Sequence, residues 1–208
     1  MNRIDEIKTL FPRVILPTGQ PFYIVGFEGE YEKTYLVNID HKQQLFLGQL
    51  ITEKTGFNYT LMSLQQAYEI AYSETPDGPN FYPRYPHQWF RTIEAFRKTE
   101  DVLNIFPRPK VVEKNSELFY DGESKKIDFC KDDLIKTLTK ADLFNKGKNR
   151  ICGYVSLGNN EEFSLRTGWD TGLDCFGVDT VKSSHRSPVG RVAFIMDQDS
   201  SKINFALA

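Results

Sequence analysis

The residues best suited to chemistry in this chain are few and scattered. Cys175 and His185 are of the right types for a thiolate and its base, with Asp174 or Asp179 available to orient the imidazole. Nothing local marks the thiol as activated, and a cysteine is equally at home as a small buried side chain. His185 beside Lys182 has the makings of a general acid or base in RNA cleavage, but that chemistry needs a second base. The three histidines, His41, His87 and His185, stand alone, without the HxH or HExxH spacing of a metal site. Neither GxxxxGK[ST] nor a strand-linked GxGxxG occurs. The expectation is therefore a protein that is not an enzyme and uses no metal or cofactor.

Two other constellations suit binding. One runs Phe163-Ser164-Leu165-Arg166-Thr167-Gly168-Trp169-Asp170-Thr171-Gly172 and continues to Arg191. It reads as a strand entering a glycine-containing loop, with Arg166 at the loop's mouth. Between Val181 and Val192 lie Lys182, His185, Arg186 and Arg191, with no Asp or Glu among them. Cations beside exposed backbone amides suit phosphate. The candidate RNA-binding set is Arg166, Gly168, Trp169, Gly172, Lys182, His185, Arg186 and Arg191. The same stretch also reads as an ordinary solvated loop between edge strands. The second constellation is Phe81-Tyr82-Pro83-Arg84-Tyr85-Pro86-His87-Gln88-Trp89-Phe90. Tyr82, Arg84, Tyr85 and Trp89 are candidate anchors for a protein partner, or aromatics that cap the core.

The first stretch resembles the C-terminal end of the RAMP proteins of type III CRISPR effector complexes. There, a strand of the form LRxGxxxG leads through a glycine-rich loop and a basic linker to a short PxG and a final strand. The matching residues are Leu165-Arg166-Thr167-Gly168, Gly172, Lys182, Arg186, Pro188-Val189-Gly190 and the strand from Arg191 to Met196. The resemblance covers about a sixth of the chain. It implies a fold that is ferredoxin-like in part and packs against guide RNA or other effector-complex proteins without catalysis. The N-terminal half lacks the opening strand and glycine-rich turn of that family, and the acidic balance suits an accessory or adaptor subunit. The leading expectation is a non-enzymatic subunit of an RNA-guided defence ribonucleoprotein. The alternative is a protein-binding module, such as a phage or plasmid inhibitor of a host factor.

The whole chain must position these residues. It has 208 residues, 40% of them hydrophobic and 26% charged, enough for a core without disulfides or metals. A net charge of −2 excludes any general attraction to nucleic acid or anionic membranes, so a basic site must be local. Cys130, Cys152 and Cys175 are odd in number and widely spaced, which predicts no disulfide framework and a reducing compartment. The first residues lack a signal peptide's apolar run, and no stretch approaches the ~18 apolar residues of a membrane span. These features predict a cytoplasmic protein without membrane partners.

Locally, residues 2–10 suit a short helix, and residues 22–27 and 31–39 two strands around Gly29-Glu30. Residues 43–53 fit a helix or a strand. Ser63 and Gln66 form a capping box for a helix to Tyr72. Prolines at 76, 79, 83 and 86 make residues 75–86 an internal boundary in an otherwise single domain. A helix is expected from near His87, with Trp89, Ile93 and Phe96 buried. Residues 117–120 and 125–129 suggest a hairpin closed by Asp121-Gly122, and residues 132–144 a helix. Residues 151–157 and 161–167 suggest another hairpin, followed by strands at 189–195 and 203–207. Hairpins separated by helices predict an α+β fold, with an antiparallel or mixed sheet and helices packed on one face.

Overall fold

A computed structural model describes residues 5, 8, 14–15, 22–24, 26–27, 39–56, 58–72, 89–100, 102–128, 151–154, 157–170, 172–173, 175–186 and 193–196. The fold is α+β and mostly strand. Short strands β1 (Val14–Ile15), β2 (Phe22–Ile24) and β3 (Gly26–Phe27) precede helix α1 (His41–Thr55), strand β4 (Tyr59–Leu61) and helix α2 (Leu64–Tyr72). Strands β5 (Phe90–Thr99), β6 (Val102–Phe106), β7 (Lys110–Lys114), β8 (Glu117–Asp121) and β9 (Lys125–Asp128) follow. The last are β10 (Ile151–Tyr154), β11 (Glu162–Asp170), β12 (Cys175–Lys182) and β13 (Ala193–Met196).

Both helices start where side chains supply the backbone's missing partners. At α1 the Asp40 carboxylate accepts the Gln43 N–H at 3.0 Å, and the Gln43 side chain accepts the Asp40 N–H. That box resolves the ambiguous residues 43–53 as helix. Gly56, at φ 75°, ends it in the left-handed conformation, its N–H returning to the Thr52 carbonyl. At α2 the expected Ser63–Gln66 box is present in both directions.

The principal sheet has six strands in the order β10-β12-β11-β5-β6-β9. Only β10 and β12 run parallel; the other neighbours are antiparallel. One face carries the core, where Phe90, Phe96, Leu165, Phe176 and Val178 pack with Leu64, Ala67 and Ala71 of α2. Tyr68 adds an edge-to-face contact with Phe176 at 5.9 Å. Strand β13 lies between β2 and β4 in a second sheet, and β7 with β8 forms a separate hairpin.

Several pairings depart from expectation. The helix expected near His87 is strand β5. Apolar residues 89, 93 and 96 match helical spacing, but β5 is central and its first seven residues are all buried, so no period-two alternation shows in the sequence. Strands β8 and β9 exist but do not pair with each other: β8 pairs with β7 and β9 with β6. Asn115 and Ser116, at φ 51° and 63°, form the tight two-residue turn that takes β8 first. Strand β10 does not pair with β11, because β12 lies between them. Gly153 makes that parallel pair possible: a Cβ there would sit 1.7 Å from the Val178 carbonyl oxygen. The segment expected as a glycine loop is strand through Gly168 to Asp170, paired along its length with β12.

Cys152 and Cys175 form a disulfide between β10 and the start of β12. This corrects the expectation of unpaired cysteines, which rested on spacing in sequence; the parallel crossover brings the two residues together. No helix among the described residues is long and apolar enough to cross a membrane. The expected helices at 2–10 and 132–144, the strands at 31–39 and 203–207, and the boundary at 75–86 lie largely or wholly outside the described residues.

Candidate functional site

The site is built around an irregularity in β5. Ser164 of β11 pairs with Ala95, but Arg166 pairs with Arg91, so Thr92, Ile93 and Glu94 face Leu165 alone. Such a bulge frees backbone groups that must find other partners. The Ile93 N–H donates to the Met62 carbonyl at 2.8 Å. The Thr92 carbonyl takes a hydrogen bond from His41 Nε2, also at 2.8 Å. His41 is the first residue of α1 and is fully buried.

The carbonyl can only accept, so His41 carries its proton on Nε2. Burial and the nearby Arg91 charge hold its pKa at about 3, so the ring is neutral and Nδ1 accepts. The donor to Nδ1 is the Tyr120 hydroxyl at 2.7 Å. The 2.8 Å contact between the Tyr120 and Ser183 hydroxyls therefore takes its proton from Ser183. Burial raises the Tyr120 phenol well above its ordinary value. The chain Ser183–Tyr120–His41–Thr92 is thus locked neutral: neither its imidazole nor its phenol exchanges a proton readily near neutrality. It serves as a clamp between the turn after β12, β8, α1 and β5.

Arg91 is the buried cation of this region. Its guanidinium bonds Ser164 Oγ and the carbonyls of Lys182 and His185. Burial lowers its pKa to about 10, so it stays charged at neutral pH. Ser183 is the hub, its N–H going to the Glu162 carbonyl and its own carbonyl accepting from the His41 N–H. Arg91 and Ser183 together fix the turn that follows β12.

Above the clamp lies an open cleft of about 980 Å³. Its walls are the start of α1, the β7–β8 turn, the start of β11 and the turn after β12. Its charges come mostly in opposed pairs. Lys42 and Arg97 both engage Glu162, Lys182 engages Glu161, and Arg186 lies 3.8 Å from Asp40. Half-burial pushes the Glu162 carboxyl up, but Lys42 and Arg97 outweigh it and hold the group below its usual value.

The sequence-predicted RNA-binding residues divide between two ends of the β11–β12 hairpin. Lys182, His185 and Arg186 gather at the cleft end, where His185 is exposed and its carbonyl serves Arg91. Trp169 and Gly172 lie at the other end, roughly 23 Å away by strand rise. Trp169 packs on the core, and the Gly172 N–H bonds Asp170 Oδ1. Gly168 is buried within β11, opposite Gly177. Arg166 pairs with Asp179 at 3.2 Å and lies 5.2 Å over the Trp89 ring. Trp89 also presses on Gly177, where a Cβ would meet it at 2.6 Å, so it is seated on the sheet. Tyr82, Arg84, Tyr85 and Arg191 lie outside the described residues.

Cys175 and His185 are not brought together. Cys175 is fully buried and disulfide-bonded at one end of β12, and His185 follows the other end. Among the described residues no cluster of three or more His, Cys, Asp or Glu side chains is suited to a metal ion. His41, Arg91, Tyr120 and Ser183 were missed in the sequence. The readable signals were the Asp40-x-x-Gln43 capping box beside His41 and an Arg, Thr and Glu inside an apolar run. Comparison with protein-family models, curated proteins and solved structures finds no match.

Proposed function

We propose that the chain works by binding and that the cleft above Ser183 holds a segment of another protein. The observation that carries this reading is charge pairing: Lys42, Arg97, Lys182 and Arg186 each already face a carboxylate. A phosphate backbone entering here would have to displace Glu161 and Glu162 from their cations while lying beside both carboxylates. A polypeptide, with amides and charges of both signs, suits such walls. The neutral clamp beneath supports binding over proton-transfer chemistry, because it makes the floor rigid without supplying a base.

A second reading retains the chain as a subunit of an RNA-guided defence ribonucleoprotein, with Lys182 and Arg186 on RNA. It draws on the gathering of Lys182 and Arg186 at one end of the sheet.

One substitution separates the two. Glu161→Lys replaces a partly exposed cleft carboxylate with a cation. If the cleft holds protein, purification from the native host yields a stoichiometric protein partner with the wild type and less of it with the variant. RNA that elutes with salt and increases with Glu161→Lys would overturn the protein reading in favour of the second.

A further inference from the structure

Among the described residues, no strand pairs with the hairpin edge that borders the cleft. In an antiparallel pair, alternate residues turn their N–H and C=O away from the neighbouring strand. On β7 the outward residues are Val111 and Glu113, and both backbone groups of Val111 are taken by one side chain. The Val111 N–H donates to Gln49 Oε1 at 2.8 Å, and Gln49 Nε2 donates to the Val111 carbonyl at 3.0 Å. The cross-strand partner of Val111 is Tyr120, so on β8 the outward residues are Tyr120 and Leu118. Among the described residues, neither backbone has a hydrogen bond outside the hairpin. The β7 edge is capped at Val111 by a glutamine, and the β8 edge has no such cap among the described residues.

Unlike β9, which carries Lys125 and Lys126 at the margin of the large sheet, β8 has no lysine of its own; the nearby cation is Lys42 of α1, its Nζ 4.9 Å from the Tyr120 ring and 5.9 Å from the Phe119 ring. Leu118 itself borders the cleft, with Ser116 and Glu117 beside it. The solvent face of β8 presents Glu117 and Phe119, the latter 41% exposed. Asp40, Glu161 and Glu162 have cations near them, but Glu117 has no ion pair among the described residues. A strand laid against β8 places alternate side chains beside Glu117 and Phe119.

We propose that β8 pairs with an extended peptide segment of the partner, with Lys or Arg beside Glu117 and an aromatic or β-branched residue two places away beside Phe119. This is strand addition to a free sheet edge: main-chain bonds to Leu118 and Tyr120 hold the segment, and the two side-chain neighbours select it. The proposal rests on the protein-binding reading of the cleft and deepens it.

The test uses the full chain and a synthetic seven-residue peptide with threonine at every other position and lysine, phenylalanine and lysine between. The expected result is saturable binding that slows amide exchange of Leu118 and Tyr120 at least tenfold. Glu117→Lys should weaken that binding at least tenfold, and a glutamate-for-lysine peptide should bind the variant better than the wild type. Unchanged exchange at saturating peptide, indifference to Glu117→Lys, no binding at all, or concentration-dependent dimers paired through β8 would each overturn it. The two readings fail separately. If native partner capture survives Glu117→Lys but is weakened by Glu161→Lys, edge pairing falls and the cleft reading stands. If capture is indifferent to both substitutions, both fall.

Discussion

His41 Nε2 donates at 2.8 Å to the carbonyl of Thr92, the group that the β5 bulge turns out of the sheet. The contact joins the first residue of α1 to the middle of the central strand and makes a buried imidazole replace a missing ladder partner. Because the acceptor is a carbonyl, the tautomer is set, and with it the direction of the bonds through Tyr120 and Ser183.

Stability should fall in mild acid through this residue. In the fold His41 protonates only at about pH 3, whereas an ordinary imidazole in the unfolded chain does so near its usual 6.5. Between those values the unfolded chain binds the extra proton, so stability rises with pH and declines as pH drops from 6.5 toward 3. The slope from one such group reaches about 1.4 kcal/mol per pH unit. Urea denaturation at pH 7 and pH 5 should show His41→Asn weaker at pH 7 by about 1–3 kcal/mol, with a flatter pH dependence.

Tyr120→Phe removes the hydroxyl between His41 and Ser183 and leaves Nδ1 buried without its donor. The expected loss is about 1–3 kcal/mol at pH 7 by the same denaturation measurement. An unchanged midpoint would show that the clamp adds nothing.

Glu94→Gln should act with the opposite pH sense. Glu94 is buried; one oxygen accepts the Leu64 N–H at 2.9 Å and the other has no hydrogen-bond partner among the described residues. Burial raises its pKa, so above the ordinary carboxylate value the fold holds its proton more tightly than the unfolded chain does. Its contribution is fully present below the ordinary carboxylate value and is lost as pH rises through the raised one. Glutamine keeps the acceptor and carries no charge. Thermal melts from pH 5 to 8 should show the variant gaining on the wild type as pH increases, by roughly 1–2 kcal/mol at pH 8. Parallel curves would count against a buried charge at this position.

Gln49→Ala strips the cap from Val111. Two hydrogen bonds are exchanged for water at an expected cost of about 1–2 kcal/mol. Hydrogen exchange should show a faster Val111 amide with α1 otherwise intact.

Reduction should loosen the β10 side of the large sheet. The Cys152–Cys175 disulfide closes a loop with a sequence separation of 23, for which chain-entropy reasoning gives about 3 kcal/mol. Cys152→Ser should match the reduced wild type in denaturation and be indifferent to reductant.

What could be read from the residues was local. The Ser63–Gln66 box starts α2 as expected, because a cap depends only on neighbours in the chain. The strands expected at 117–120, 125–129 and 161–167 were legible from their composition, though not the continuation of the last through Gly168 to Asp170, and so was an α+β fold with a mixed sheet. The basic residues Lys182, His185 and Arg186 were recognised as a group, and they do share one end of the molecule.

Which strand lies beside which was decided only in three dimensions. A strand's side chains show that it needs neighbours but not which ones, so β12 could enter between β10 and β11 without any local sign. That insertion brings Cys152 to Cys175, and the full-length pairing of β11 with β12 parts the glycine turn from the basic residues. Residue type likewise shows a charge but not its counterion: Glu161 and Asp40 reach Lys182 and Arg186 only through the fold. The clamp of His41, Tyr120 and Ser183 draws one residue from each of three distant elements. Tertiary packing alone buries them together and brings each polar side chain within hydrogen-bond reach of the next.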